Sequence, residues 1–201
     1  MTQSNERTLN SYEAHVQEYV DGTPQEVSGG VKDWIDRTLE GLPHEARIIE
    51  VGSAFGRDAQ YIEAQGYKVD RTDATHGFVE LLQSKGYQAR DFNLITDSFN
   101  EQYDVVFADA VLLHFTREEL ELSVDKVRQA LLPNGRFAFS LKQGEGERWS
   151  EDKLGAPRFF CYWTDEQITE TLERVGFSDI AITTSEFGNN NPKWLHIVAS
   201  K

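Results

Sequence analysis

The stretch Ile48-Ile49-Glu50-Val51-Gly52-Ser53-Ala54-Phe55-Gly56-Arg57-Asp58 decides the fold. Together with Arg47, its first part is a short apolar run that ends in glycine, the pattern of a buried parallel strand. Small residues at 52, 54 and 56 then let a ligand approach a backbone turn. A helix opening at Arg57 offers its first amides to an electronegative group. A glycine-rich turn is a weak signal by itself, and this one has alanine in its middle.

Working outward toward the C-terminus, strands and helices alternate. The pattern predicts helices over 57–64, 75–84, 117–131 and 165–174, and strands over 67–72, 87–91, 103–108 and 136–141. Such alternation indicates an α/β sheet with helices on both faces. Gly66, Gly86, Gly135 and Gly176 stand where helices must stop. The tail breaks the pattern. Segments 177–184 and 194–199 are both strand-like, and the 185–193 connection is too short for a helical crossover, so the last strand should be antiparallel. Toward the N-terminus, helices are expected over 5–20, with Leu9, Tyr12, Val16, Tyr19 and Val20 on one stripe, and over 28–40. The chain then reads as one domain, 1–201, with a helical cap or lid over 1–44 and a core over 45–201.

In open α/β sheets, ligands sit beyond the carboxyl ends of the strands. Asp73 closes the second strand about twenty residues after the turn, the spacing of a ribose-hydroxyl acceptor. Ala74 follows it. Asp91 ends the third strand, where it can accept from an adenine amino group while the Phe92 amide donates to a ring nitrogen. Glu50 can hold the amino-acid end of a ligand. These acids suit a sulfonium cation better than a pyrophosphate. Asp58 opens a helix, where it either favours the dipole or joins the ligand site.

The order of turn, ribose acid, adenine acid and antiparallel tail resembles that of class I S-adenosylmethionine-dependent methyltransferases, over roughly residues 10–201. The family's first motif is acid-x-Gly-x-Gly-x-Gly; this chain keeps Glu50, Gly52 and Gly56 and has Ala54 in the middle. Ala108-Asp109-Ala110-Val111-Leu112-Leu113-His114-Phe115 is similar to the fourth-strand motif that faces the methyl group. Leu132-Pro133-Asn134-Gly135 is similar to the family's turn before strand five, with Asn134 in place of a glycine. Segments 140–147 and 160–164 resemble a subgroup of small bacterial methyltransferases of poorly defined substrate.

The resemblance implies a Rossmann-like three-layer sandwich with a seven-stranded, mostly parallel sheet and an antiparallel last strand. It implies S-adenosylmethionine as cofactor, held by Glu50, Gly52, Ser53, Ala54, Gly56, Asp58, Asp73, Ala74, Asp91, Phe92, Ala108 and Tyr19. It places His114 beside the methyl group, as an acceptor contact and the candidate general base, against the plain alternative of a satisfied core histidine. Tyr12 and Tyr19 are either core or a lid over the cofactor. Aromatics after strand five, Tyr162 among them, can shape an acceptor pocket, and Lys142 or Arg148 can pair with an acceptor carboxylate.

The expected reaction is methyl transfer to an O, N or S atom of a small molecule. The alternatives are a nucleotide-binding oxidoreductase and a non-catalytic protein that binds S-adenosylmethionine or a partner. The formal charge of −14 opposes a nucleic-acid or anionic-membrane partner. No paired His or Cys spacing supplies a metal site. The polar N-terminus and the single Cys161 point to the cytoplasm.

Overall fold

A computed structural model of the chain describes residues 2–186 and 193–201. Five parallel strands form its centre: β1 (Arg47–Val51), β2 (Lys68–Asp73), β3 (Ala89–Asp91), β4 (Tyr103–Ala108) and β5 (Leu131–Gln143). They lie in the order β3-β2-β1-β4-β5. Two further strands, β8 (Ser178–Ser185) and β9 (Trp194–Ser200), extend the sheet at the β5 edge. β9 runs antiparallel to β5, from Arg136 opposite Ser200 to Lys142 opposite Trp194, and β8 runs antiparallel to β9. The reversed last strand expected from the sequence is therefore present. The loop expected over 185–193 falls mostly on residues 187–192, outside the described residues.

Period-two alternation splits the central strands between two apolar layers. Ile49, Val51, Val106, Phe137 and Phe139 pack with Leu120, Val124 and Val127 of α6 (Arg117–Ala130) and with Ile168 and Leu172 of α7 (Asp165–Val175). Ile48, Val105, Phe107 and Ala138 face the other way, onto Trp34 and Ile35 of α3 (Gly29–Leu39) and Ile62 of α4 (Arg57–Ala64). Trp34 stacks 4.6 Å from Phe107 and donates its indole N–H to the Ile197 carbonyl at 3.1 Å. The capping boxes Thr116/Glu119 and Thr164/Gln167 start α6 and α7. α5 (His76–Ser84) leads from β2 to β3.

The N-terminal helix departs from expectation. It divides into α1 (Gln3–Ala14) and α2 (Val16–Asp21) at His15, whose φ and ψ are −136° and 36°. The His15 amide turns to the Tyr12 carbonyl, and the His15 ring takes over the Ser11 carbonyl at 2.9 Å. The most buried side chains of α1 are polar, Asn5, Thr8 and Ser11, rather than an apolar stripe.

A hairpin that periodicity did not reveal explains those polar contacts. β6 (Glu147–Ser150) and β7 (Arg158–Trp163) pair antiparallel. β9 occupies one edge of β5 as far as Lys142, so β7 joins the other edge beyond the end of β4, with Lys142 opposite Tyr162 and Gln143 opposite Trp163. The edge of β7 away from β6 is closed by side chains. The Phe159 amide donates to Thr8 Oγ1 at 3.0 Å, and Ser11 Oγ donates to the Pro157 carbonyl at 2.7 Å. Buried backbone groups need partners, and α1 docks through them.

Candidate functional site

The turn after β1 alternates left-handed residues: φ is 77° at Gly52, 46° at Ala54 and 88° at Gly56. A Cβ on Gly52 would lie 2.3 Å from Val111 Cγ2, so the close approach of the β4 loop requires glycine there. Ala54 tolerates its conformation with its amide anchored at 2.8 Å to Asp73 Oδ2. The amides of Gly52 and Ser53 both donate to the Thr72 carbonyl, and that of Gly56 to the Ser53 carbonyl. With those amides consumed inside the protein, the turn is a poor cradle for a pyrophosphate.

Asp73 is buried, and its second oxygen accepts from the Thr75 amide at 2.8 Å. Each carboxylate oxygen keeps a further lone pair for a ligand hydroxyl. Burial pushes this carboxyl up to about 6, against the pull of those amides. Glu50 is buried with Oε2 lacking any hydrogen-bond partner. Burial, then the Asp58 charge, pushes it up to about 8. Arg57 joins two more acids: its Nε lies 2.7 Å from Asp58 Oδ1 and its Nη2 3.1 Å from Asp109 Oδ2. Ser140 Oγ holds the other Asp109 oxygen at 2.6 Å. Two carboxylates against one guanidinium, with the protonated Glu50 behind them, leave this wall net negative, the setting for a ligand cation.

Two adjoining cavities open at these strand ends. One, of about 80 Å³, is walled in part by Tyr12, Ala74, Asp73, Phe78, Phe92 and His114. The other, of about 420 Å³, is walled in part by Ser53, Arg57, Asp58 and Lys153. Tyr19, Gly52, Ala54 and Asp109 belong to both. The structure thus gathers Gly52, Ser53, Ala54, Asp58, Asp73, Ala74, Phe92, Tyr12, Tyr19 and His114 around one space. Gly56 and Ala108 stay behind it: Gly56 faces Leu82 of α5, and Ala108 is fully buried.

Two adenine contacts expected from the sequence need correction. The Phe92 amide donates to the Asp73 carbonyl at 2.9 Å and has no proton left for a ring nitrogen. Asp91 is well exposed and turns its carboxylate to His76 Nδ1 at 2.9 Å, outside the cavity wall. Their places at the cavity are taken by the Phe92 ring and by Asn93 and Leu94.

His114 is fixed at both nitrogens. Its Nδ1 lies 2.6 Å from the Phe159 carbonyl, which can only accept, so Nδ1 carries the proton. Nε2 then accepts from the Tyr12 hydroxyl at 2.8 Å. Burial holds the ring down to about 3, so it is neutral at physiological pH and reaches the cavity beside Tyr12. Arg158 Nη1 donates to the same hydroxyl at 3.3 Å.

Lys142 and Arg148 lie beyond the cavity walls, Lys142 Nζ 4.2 Å over the Phe160 ring and the Arg148 guanidinium 5.0 Å over Tyr162, whose hydroxyl is buried without a partner. Sequence reasoning missed Asp109, Val111, Lys153 and Arg158. Asp109 had a signal, an acid directly after a strand end. Arg158 and Lys153 had none, because only the hairpin fold brings them here.

A methyltransferase-domain family model matches residues 49–137. No curated protein matches the chain. Among solved structures, an S-adenosylmethionine-dependent methyltransferase from Mesorhizobium loti is 18% identical, covering 86% of this chain and 99% of its own, with a TM-score of 0.64. A 1,6-didemethyltoxoflavin N1-methyltransferase from Burkholderia thailandensis, with its substrate and S-adenosylhomocysteine bound, is 18% identical over 100% of this chain and 91% of its own, with a TM-score of 0.73. Phosphoethanolamine N-methyltransferase 2 of Haemonchus contortus, in complex with S-adenosylmethionine, is 14% identical over 100% of this chain and 60% of its own, with a TM-score of 0.74. At such identities the likeness is one of fold.

Proposed function

We propose that this chain is a class I S-adenosylmethionine-dependent methyltransferase, as its fold and the domain model matching residues 49–137 support, and that it transfers a methyl group to an O, N or S atom of a small molecule. The observation that carries this is Asp73, buried at the cavity and held between the Ala54 and Thr75 amides, beside a turn ringed by carboxylates. The donor set fits the cofactor: Asp73 presents free lone pairs to a ribose diol, Phe78 and Phe92 supply an apolar slot, and the orphaned Glu50 oxygen awaits a cation. Arg57 and Lys153, the cations of the wider cavity, are the partners for the cofactor's carboxylate. When bound, S-adenosylmethionine supplies an electrophilic methyl group on a sulfonium.

The chain's own contribution is to position and to exclude water. The Tyr12 hydroxyl is the contact for the acceptor's polar atom, and His114 acts through it. With its Nδ1 proton locked onto Phe159, His114 Nε2 accepts from and aims the Tyr12 hydroxyl; because burial holds the ring down to about 3, its role is to position Tyr12 and not to take a proton as general base. Alignment of the acceptor supplies most of the rate enhancement, since methyl transfer leaves little charge to stabilise. α1 and α2 bring Tyr12 and Tyr19 over the cavity, with ring centroids 5.5 Å apart, so these two helices serve as the lid; α3, expected to belong to it, packs Trp34 and Ile35 into the core instead.

Two of the structural neighbours named above, the 1,6-didemethyltoxoflavin and the phosphoethanolamine N-methyltransferases, are named for small-molecule acceptors, which favours a small acceptor here. No helix among the described residues is long and apolar enough to cross a membrane, and the single Cys161 favours the cytoplasm. The oxidoreductase alternative is disfavoured by the reversed β9 and by the consumed turn amides. The test is S-adenosylhomocysteine formation from S-adenosylmethionine against a panel of small acceptors. Acceptor-dependent product is expected; a chain that binds S-adenosylmethionine yet turns over with none of them would favour a binding protein instead.

A further inference from the structure

Beyond the cavity wall, behind Tyr12 and His114, lies a cluster of cations that reaches the cavity through the Arg158–Tyr12 hydrogen bond. On β7, Arg158, Phe160 and Tyr162 share one face by strand alternation, with Arg148 of β6 opposite Phe160 and Lys142 of β5 opposite Tyr162. Cations and rings interleave there. Arg158 lies 5.7 Å over Tyr12 and 5.3 Å over Phe160, and Lys142 lies 4.2 Å over Phe160 and 5.7 Å over Trp194.

None of the three cations has an ion pair among the described residues, in a chain of net charge −14. Arg158 is only 6% exposed, its Nε has no partner, and its one hydrogen bond goes to a neutral hydroxyl. Buried charges in proteins are ordinarily paired. Asp152 is the acid that Lys142 feels, but its carboxylate accepts from Ser150 Oγ at 2.6 Å. Burial first, and then Arg158 and Arg148, hold the Lys142 ammonium down to about 8, and the opposing pull of Asp152 does not offset them. The Tyr162 hydroxyl adds a buried donor with no acceptor.

We propose that Arg158, Lys142 and Arg148 bind an oxyanion carried by the methyl acceptor, a carboxylate, phosphate or phosphonate, so that the acceptor is an anion. The inference rests on the methyltransferase reading, because Arg158 touches the same Tyr12 hydroxyl that is proposed to meet the acceptor. The acid wall holds the cofactor's cationic end and repels such a group, so charge alone sets the acceptor's orientation. Arg158 supplies the planar fork suited to oxyanions, and Lys142 a point charge beside it.

The test is calorimetric titration of inorganic phosphate, methylphosphonate and acetate into the whole chain, with and without saturating S-adenosylhomocysteine, at ionic strength matched with chloride. At least one anion should saturate a single site, and the tightest names the acceptor's group. Lys142→Gln should weaken that binding by about tenfold and the exposed Arg148→Gln by roughly threefold, both with S-adenosylhomocysteine affinity unchanged. No saturable anion binding, or wild-type affinity in both variants, overturns the proposal. Failure of S-adenosylhomocysteine to bind would instead sink the cofactor assignment, while titration into the cofactor-free chain still decides whether the cationic face is an anion site. Arg148→Gln keeps the test available if Lys142→Gln does not fold.

Discussion

The acid wall of the cavity and the cationic cluster beyond it differ in charge and in origin. The acid wall carries Asp58, Asp73 and Asp109, with Glu50 buried behind them, all in or shortly after β1, β2 and β4. The cationic cluster carries Lys142, Arg148 and Arg158, assembled by a hairpin that joins the tip of β5. The first is fixed by local chain geometry and the second by tertiary pairing. If the first holds the cofactor and the second the acceptor, as proposed, substitutions should sort accordingly.

The largest effect is expected at Asp73. Asp73→Ala removes the acceptor of two backbone amides and of the ribose diol, and should weaken S-adenosylhomocysteine binding about 100-fold or more, close to 3 kcal/mol. Asn is no remedy, since its NH2 must face the Ala54 or Thr75 amide, donor against donor; Asp73→Asn should also lower the melting temperature. Calorimetry and thermal unfolding check both.

Tyr12→Phe strips the partner from His114 Nε2 and from Arg158. It should lower kcat by roughly 30-fold, in line with losing a positioned polar contact of about 2 kcal/mol, with a much smaller change in cofactor affinity. Equal losses in both would mean that Tyr12 belongs to the cofactor wall.

Gly52→Ala places a methyl 2.3 Å from Val111 Cγ2 in a left-handed residue. It should cost about 1–3 kcal/mol of stability and about tenfold in cofactor affinity. Adding Val111→Ala should restore part of the loss; no recovery would show that backbone strain, not the clash, dominates.

Glu50 gives a pH signature. Its folded value, about 8, lies above its ordinary value, so the folded state holds a proton that the unfolded state has already released. Stability from this group is full below about 4.5 and is lost as pH rises through 8. The Asp73 and Asp58 carboxyls, pushed up to about 6, and the depressed His114 act in lower windows. Between pH 6.5 and 8 the cofactor-free chain should therefore lose about 1–2 kcal/mol, and Glu50→Gln should flatten that slope. Binding of the S-adenosylhomocysteine ammonium should release a proton at pH 7, read from the buffer dependence of the heat. The smallest effect is expected at Ala54. Ala54→Gly relieves a φ of 46° but loosens the unfolded chain, and the two should nearly cancel, to within about 1 kcal/mol.

Glu50, Asp58 and Asp73 were legible in the sequence because each lies in or shortly after a buried strand, and Asp109, which also follows one, was passed over. Asp73 needed only its distance from Gly52, and the reversed β9 needed only a connection too short for a helix. Asp91 and Phe92 sit at the expected strand end, but their groups were claimed by His76 and by the Asp73 carbonyl, contacts with no sequence spacing to announce them. The cationic cluster was hidden for a related reason. Arg158 depends on β7 joining β5 beyond the end of β4, and β7 is stabilised by Thr8 and Ser11, more than 140 residues earlier. Asn5, Thr8 and Ser11 fall outside the apolar stripe read from α1, and Thr8 and Ser11 are buried because a strand edge needs them.

The account stands most directly on a calorimetric titration of S-adenosylhomocysteine into the wild-type chain, run beside NAD. It predicts one saturable site of micromolar affinity for S-adenosylhomocysteine and none for NAD. Silence toward S-adenosylhomocysteine, or tighter binding of NAD, would contradict it.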